Sequence, residues 1–297
     1  MVVELTEALV EREVGDARPV LHLFSGPFVT VGRRRVSVPQ GSKRLLVFVA
    51  LHRGQVDRAH AAGTLWPTGS EFRAAGNLRS ALWRLSRVDL PLLTADSCHV
   101  ALDHNLRVDA HLVGEWAARI IGGHPSETDL SYQPSGAVAL DLLPGWYEDW
   151  ALLERERLRQ RMLHALEALS RLLISAGRIS EGVEAAITAV AADPLRESAQ
   201  RTLIEAHLAE GNWSEGRRQF ENYRVLLQRE LGIEPDERLA ALVRCPPQRL
   251  HADDLRVARS VPSAGQDPAH PRPLPRRDAA RSNGPGMAAA GRREAPR

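Results

Sequence analysis

Residues 72–88, FRAAGNLRSALWRLSRV, contain four arginines and no acidic residue. A guanidinium group presents a planar fork of N–H donors that can pair with a guanine edge or clamp a phosphate. Polar helix faces that only meet solvent usually mix acids with bases, because ion pairs four residues apart stabilise the helix. The absence of acids between Glu71 and Asp89 therefore favours contact with a polyanion over an ordinary solvated face.

The apolar spacing predicts that this segment is a helix with two distinct faces. The residues expected on the core face are Leu78, Ala81, Leu82 and Leu85. At about 100° per residue, the residues opposite this face and on its shoulders are Arg73, Asn77, Arg79, Ser80, Trp83, Arg84 and Arg87. We predict that this outward surface enters the major groove of double-stranded promoter DNA, with Arg84 and Arg87 as the leading contacts. Candidates for base or sugar-edge contact are Asn77, Arg79, Ser80 and Trp83.

The preceding sequence predicts the elements that would position this helix. Residues 20–38 alternate β-branched and aromatic residues with polar ones around Gly26 and Gly32, which is typical of a short antiparallel meander. A helix is expected to open with Ser42 as its N-cap and to end at Gly54. A second helix is expected over residues 57–65, and the arginine-rich helix over about residues 71–88.

Residues 92–102 predict two short strands around an Asp96-Ser97 turn, which would form a wing. Three helices and a hairpin behind a small sheet follow the plan of a winged helix. Lys43 and Arg44, near the start of the first of these helices, and Ser97 and His99, in the wing, are predicted to contact phosphates. The predicted fold is mainly α, an N-terminal winged helix with a small antiparallel β-sheet followed by an all-α tetratricopeptide-like helical-repeat domain.

The second half of the chain shows an internal repeat. Gly177, in ISAGRISEG, recurs as Gly211, in LAEGNWSEG, at the 34-residue period of helix-turn-helix units. Such units stack because one helix pair cannot cover its own apolar face. The closing helix before Pro235 is expected to be longer than the standard repeat, and another helix is expected to be capped near Asp236. An aromatic cluster at residues 146–150 is either a seam with the winged helix or a local cap on the first repeat helix.

Several runs, taken in order, resemble the N-terminal half of the SARP family, the actinobacterial regulators of antibiotic clusters. They are LHLFSGPFVTV, SKRLLVFVALHRGQVDR, LWP, RAAGNLRSALWRL and RVDAHLV. LLPGWYEDWALLERERLR and ELGIEPDERL resemble the family's second half, the bacterial transcriptional activator domain. The resemblance covers about residues 20–244. It implies binding of direct repeats near a promoter as a homodimer or as tandem protomers, contact with RNA polymerase holoenzyme, and activation of a biosynthetic gene cluster.

The net charge is only +2, but the charged residues are distributed unevenly over four segments of the chain. Residues 1–18 hold 2 basic and 5 acidic side chains, 19–108 hold 12 and 5, 109–245 hold 15 and 22, and 246–297 hold 10 and 5. We expect an acidic N-terminal extension over 1–18, a winged-helix DNA-binding domain over 19–108, the activator domain over 109–245, and a disordered basic tail over 246–297. The extension, the tail and the wing sequence TADSCHVALD depart from the family pattern.

The sequence lacks the motifs of phosphate-binding loops, zinc proteases and serine hydrolases, so neither an enzyme nor a cofactor is expected. Cys98 and His99 are neighbours on a predicted strand and point to opposite faces, which argues against a metal site. No apolar run is long enough to span a bilayer, and the first residues are acidic where a secretory signal is basic. We therefore expect a cytoplasmic protein without membrane contact.

Two alternatives to an activator are open at this stage. The chain could be a helical-repeat protein-binding adaptor or ligand sensor whose winged helix no longer binds DNA. It could also be a repressor, since activators and repressors use the same kind of DNA-binding surface.

Overall fold

The architecture is seen in a computed structural model that describes residues 2–14, 18–24, 26–131 and 142–244. The elements of the first half are α1 (Val2–Val14), β1 (Pro19–His22), β2 (Phe28–Val31), β3 (Arg34–Val36), α2 (Gln40–Leu51), β4 (Gln55–Asp57), α3 (Arg58–Leu65), α4 (Glu71–Leu85), β5 (Leu93–Ala95), β6 (His99–Leu102), β7 (Arg107–Val108) and α5 (Asp109–Ile121). They are followed by α6 (Glu127–Leu130), α7 (Asp149–Ser175), α8 (Ile179–Ala192), α9 (Glu197–Ala209), α10 (Trp213–Leu231) and α11 (Glu237–Leu242). The predicted fold class is confirmed, and the predicted tail over 246–297 lies outside the described residues.

Two small sheets frame the helices of the first half. β1, β2 and β3 form the predicted antiparallel meander, and β7 joins it parallel to β1, with Val20 opposite Arg107. The second sheet has the order β4-β6-β5, and its β5–β6 hairpin is the predicted wing. β7 and β4 have only two and three residues, too few to leave a periodic pattern in the sequence.

The predicted bounds of α3 hold, while those of α2 and α4 need correction. Asp57 caps α3, because its side chain accepts a hydrogen bond from the His60 backbone N–H at 2.9 Å. α4 is capped by Ser70 and ends at Leu85, three residues before the predicted end. Gly54 does not end α2 directly, because it lies beyond Leu51 in the turn into β4, with φ of +81°.

Ser42 is not the N-cap of α2. The helix begins at Gln40 after Pro39, so Ser42 lies in the first turn. There it is fully buried, and its hydroxyl donates a hydrogen bond to the Ala81 carbonyl of α4 at 3.1 Å. A hydroxyl in a first turn satisfies its bonding capacity locally or on a neighbouring helix, and here it joins α2 to α4.

The acidic leader forms α1, an integral helix of the fold. Leu5 and Leu9 are buried, and α1 packs against α5. At its end the Arg12 guanidinium lies 3.2 Å from the Asp129 carboxylate, which also accepts hydrogen bonds from Arg119 at 2.9 Å. Burial alone would raise the pKa of Asp129, but the hydrogen bonds from Arg119 and Ser126 outweigh it and hold that pKa well below its usual range.

Asp109 joins the start of α5 to the segment that follows β1. Its buried carboxylate accepts hydrogen bonds from the backbone N–H groups of Leu23 at 2.8 Å and Phe24 at 3.3 Å. Burial raises the pKa of Asp109 to about 7, against the opposing effect of these bonds and that of Ala110. The carboxyl group therefore joins two elements at the cost of an unfavourable charge in the interior.

The repeat predicted from the glycine spacing is present in the structure. Gly177 and Gly211 occupy the turns of the α7–α8 and α9–α10 hairpins with φ of +78° and +80°. Gly182 faces Ser170 and Ile174 across the first hairpin, and Gly216 faces their counterparts Ile204 and Leu208 across the second. α10 has 19 residues against 14 in α8, and Asp236 caps α11, as predicted.

The aromatic cluster at residues 146–150 contacts the winged helix, which supports the seam alternative for two of its members. The Trp150 ring meets Phe48 of α2 edge-on at 5.2 Å and Trp146 at 5.9 Å. Tyr147 is 79% exposed and takes no part. Beside the seam, the Leu143 backbone N–H donates to the Leu23 carbonyl at 2.9 Å.

One apolar core crosses this seam. It runs from Leu5 in α1 through the winged helix to Ala185 in α8. Other buried apolar residues of the described part form three smaller clusters among α7–α11. Within that part of the chain, no helix is both long and apolar enough to cross a membrane.

Candidate nucleic-acid interface

The inward face of α4 holds the helix in the core of the winged helix. Leu78, Ala81 and Leu85 are buried, and Leu82 is partly buried against the same cluster. α4 packs on α3 and α2, whose Leu45 is fully buried. The predicted core face of this helix is confirmed.

The outward face of α4 is open to solvent. The exposed members of the predicted set are Arg73, Arg79, Ser80, Trp83, Arg84 and Arg87, while Asn77 is half-buried. In the described ranges, none of the ion pairs involves an arginine of α4 or Arg87. The surface keeps its positive charge without a neutralising carboxylate, as polyanion binding requires.

Arg84 lies where α4 meets the first turn of α2. Its Nε donates a hydrogen bond to the Ser42 hydroxyl at 3.4 Å, and a side chain on Gly41 would meet the Arg84 guanidinium at 3.6 Å. The guanidinium therefore sits at one end of the exposed surface, beside the positive end of the α2 dipole.

Ser80 lies on the outward face of α4, whereas Arg87, predicted on the same helix, lies two residues beyond its last residue, Leu85. The Arg87 guanidinium lies over the Trp83 ring, 5.0 Å from its centroid, which positions the charge through a cation–π contact. The Ser80 hydroxyl donates to the Gly76 carbonyl at 3.0 Å. Its oxygen lone pairs remain available as acceptors on the exposed side.

The wing carries a negative charge next to the predicted phosphate contacts. The Asp96 carboxylate accepts hydrogen bonds from the backbone N–H groups of Cys98 and His99, both at 2.7 Å. These bonds lower the pKa of Asp96. Ser97 is exposed, and the His99 ring lies 3.8 Å from Asp96, so an ionised carboxylate shares the wing tip with them.

Comparison with known proteins identifies the second half of the chain. Residues 135–244 match the family model described as bacterial transcriptional activator domain. The matched segment is similar to this family and is called the activator domain from here on. The match begins beyond the predicted boundary at residue 109, and it confirms the predicted resemblance of the second half to this domain family.

One solved structure shares the fold of most of this chain. It is described as Mycobacterium tuberculosis EmbR in complex with low affinity phosphopeptide, and it is similar to this chain with a TM-score of 0.52 at 18% identity. The likeness covers 76% of this chain and 64% of that one, and at this identity it shows the fold. No curated protein matches the chain.

The activator domain touches the start of α2 through an ion pair. The Arg44 Nε lies 3.0 Å from the Glu148 carboxylate, and the two side chains are 45% and 30% exposed. Arg44 is therefore shared with the activator domain rather than standing free for phosphate, whereas the neighbouring Lys43 is half-buried. The predicted phosphate contacts at the two positions stay predictions.

Two residues of the outward face were missed by sequence reasoning. Phe72 is 82% exposed, the most exposed of the large apolar side chains in the described part. Gly76 follows it by one helical turn on the same side of α4. The sequence contained a signal for both, because an aromatic residue and a glycine are unusual on the polar face of an amphipathic helix. The prediction considered mainly the arginines of this face.

Proposed function

We propose that the chain is a sequence-specific DNA-binding transcriptional activator whose α4 enters the major groove of promoter DNA. The observation that carries the proposal is the outward face of α4. It is cationic, lacks carboxylate partners among the described residues and is exposed in the presence of the activator domain. Exposed arginine side chains on a helix can form hydrogen bonds with guanine edges and with phosphates.

The positions of the side chains suggest different tasks on DNA. Arg73 and Arg79 lie on the outward face of α4, and Arg87 follows the end of the helix. All three are assigned to base edges or adjacent phosphates. Arg84 lies at the α2 junction and is assigned to a phosphate. Phosphate contacts fix register, while base contacts carry sequence information.

The remaining half is assigned to transcription itself. The activator domain, with the repeat surface that stacked helices leave free, would contact RNA polymerase holoenzyme. Family resemblance further suggests direct repeats in the promoter, a homodimer or tandem protomers on them, a biosynthetic gene cluster as target, and a cytoplasmic location. No enzymatic activity and no cofactor are assigned.

The first experiment is selection of bound sites from random DNA, followed by affinity measurements at several salt concentrations. We expect a steep decrease of affinity with salt, because binding releases counterions from phosphates. Arg87→Ala should weaken specific binding by about 1 to 3 kcal/mol. The matched control is Arg229→Ala, an exposed arginine of α10 whose side chain is 71% exposed, which should leave binding unchanged.

Other outcomes separate the alternatives. If the wild-type protein shows no preference over random duplexes at any salt concentration, the proposal is wrong and a protein-binding adaptor becomes the better interpretation. If specific binding exists but transcription in vitro from a promoter that contains the selected site decreases, the protein is a repressor.

A further inference from the structure

Gly76 lies in the interior of α4, where glycine is costly. A glycine inside a helix is about 1 kcal/mol less favourable than alanine. The fold does not require it here, because a Cβ at this position would meet only the end of the Arg79 side chain, at the ordinary contact distance of 3.8 Å. Glycine at such a place commonly permits another molecule to approach the backbone closely.

Gly76 lines a shallow depression on the outward face of α4. Its volume is about 590 Å³, and its walls include Phe72, Arg73, Arg79 and Ser80. The two arginines belong to the cationic surface assigned above to DNA. The depression is therefore placed where a base pair would meet the helix.

Phe72 gives this depression an apolar wall. At 82% exposure its ring loses nearly all the free energy that burial of an aromatic side chain provides. It lies one turn before Gly76, and apart from this glycine the other residues that line the depression are polar or charged. In the major groove the apolar group that a base pair presents is the C5-methyl group of thymine.

We propose that Phe72 contacts the methyl group of a thymine in the recognition site, and that Gly76 allows the α4 backbone to approach the same base pair. This inference rests on the proposed DNA binding and adds a chemical specificity to it. The recognition site must then contain at least one thymine whose methyl group contributes to affinity. Arginine contacts to guanine would define the adjacent positions.

The test replaces each thymine of the selected duplex, one at a time, with deoxyuridine, which lacks only the methyl group. For the wild-type protein we expect one replacement to lower affinity about fourfold. This corresponds to about 0.8 kcal/mol, the contribution of one buried methyl group. For Phe72→Ala the same replacement should have no effect. The matched control is Tyr147→Ala, which removes an exposed aromatic side chain outside α4 and should keep the methyl effect.

A second variant tests the close approach at Gly76. Gly76→Ala should leave the midpoint of thermal unfolding unchanged or raise it, because alanine favours the helix. It should nevertheless lower affinity for the selected duplex about tenfold or more, through contact of the added methyl group with the base pair. An unchanged affinity would overturn the role assigned to Gly76.

The outcomes distinguish this inference from the proposed function. The methyl contact is wrong, and DNA binding stands, if the wild-type protein binds its selected site specifically but no deoxyuridine replacement lowers its affinity. The same conclusion follows if each replacement lowers the affinity of Phe72→Ala as much as that of the wild type. If the wild-type protein has no specific site, both the proposed function and this inference fail.

Discussion

The guanidinium of Arg44, in the first half of α2, lies 3.0 Å from the carboxylate of Glu148, the residue that precedes α7. This ion pair joins the winged helix to the activator domain at a residue that sequence reasoning assigned to phosphate. A phosphate group and Glu148 would compete for the same cation, since both are anions.

Glu148→Gln should therefore increase affinity for DNA if Arg44 lies near the duplex. The expected gain is severalfold for all duplexes, with a salt slope steeper by about one, as one more phosphate is neutralised. The control is Glu154→Gln, which removes the same charge from a carboxylate paired with Arg157 within α7. Equal affinities for the two variants would mean that Arg44 does not reach DNA.

Trp150→Ala should destabilise the fold by up to about 3 kcal/mol, because the partly buried ring contacts both Phe48 and Trp146 at the seam. Trp150→Phe should cost less, since the buried indole Nε1 has no hydrogen-bond partner to lose. Chemical denaturation measures both. Tyr147→Ala, at a ring that is 79% exposed, should change the free energy of unfolding by less than about 0.5 kcal/mol, and a large change there would contradict the seam geometry.

The raised pKa of Asp109 should make the stability of the fold depend on pH. Its folded-state pKa is raised to about 7, so the folded state binds the proton more tightly than the unfolded state. The stabilising contribution is present at low pH and decreases as pH rises from about 4 to 7, by up to roughly 1.4 kcal/mol per pH unit. The free energy of unfolding of the wild type should thus decrease relative to Asp109→Asn between pH 5 and pH 7.

The control for this measurement is Asp129→Asn. The pKa of Asp129 is held well below its usual range, so its contribution is lost only in acid and should be constant above about pH 5. Parallel pH profiles for wild type and Asp109→Asn would show that Asp109 titrates alike in the folded and unfolded states.

The two equivalent repeat glycines should respond differently to alanine. At Gly182 a Cβ would lie 2.7 Å from Ile174 Cγ1 and 3.0 Å from the Ser170 carbonyl, so Gly182→Ala should destabilise by about 1 to 3 kcal/mol. At Gly216 the nearest atom would be 3.4 Å away, and Gly216→Ala should be neutral or stabilising by up to about 1 kcal/mol. Thermal unfolding of both variants checks this, and the reverse order would exclude the close helix contact at Gly182.

The sequence predicted those features that depend on the residues of a single segment. The two faces of α4 follow from the spacing of Leu78, Ala81 and Leu85, and the turn glycines follow from their period. Ser42 and Arg44 were assigned incorrectly or incompletely because their partners, Ala81 and Glu148, are far away in the chain. Local patterns do not encode such long-range contacts.

The leader shows a second limit. Leu5 and Leu9 have helical spacing, but the segment is short, acidic and without a family counterpart, so it was treated as an extension. Its place in the fold depends on the apolar face of α5 and on Asp129. For the outward face of α4, the sequence predicted the charged residues, but exposure was needed to single out Phe72.

The core that runs from Leu5 to Ala185 determines where this chain could be divided to build chimeric proteins. A graft that exchanged the head of the chain at residue 108 would leave Phe48 without Trp150 and expose apolar surface on both fragments. Beyond α8 the buried apolar residues belong to smaller clusters, two of which also include a few residues of α7 or α8. A crossover between α8 and α9 would therefore cut through less shared interior, and the transplanted unit would be the winged helix together with its first helical hairpin.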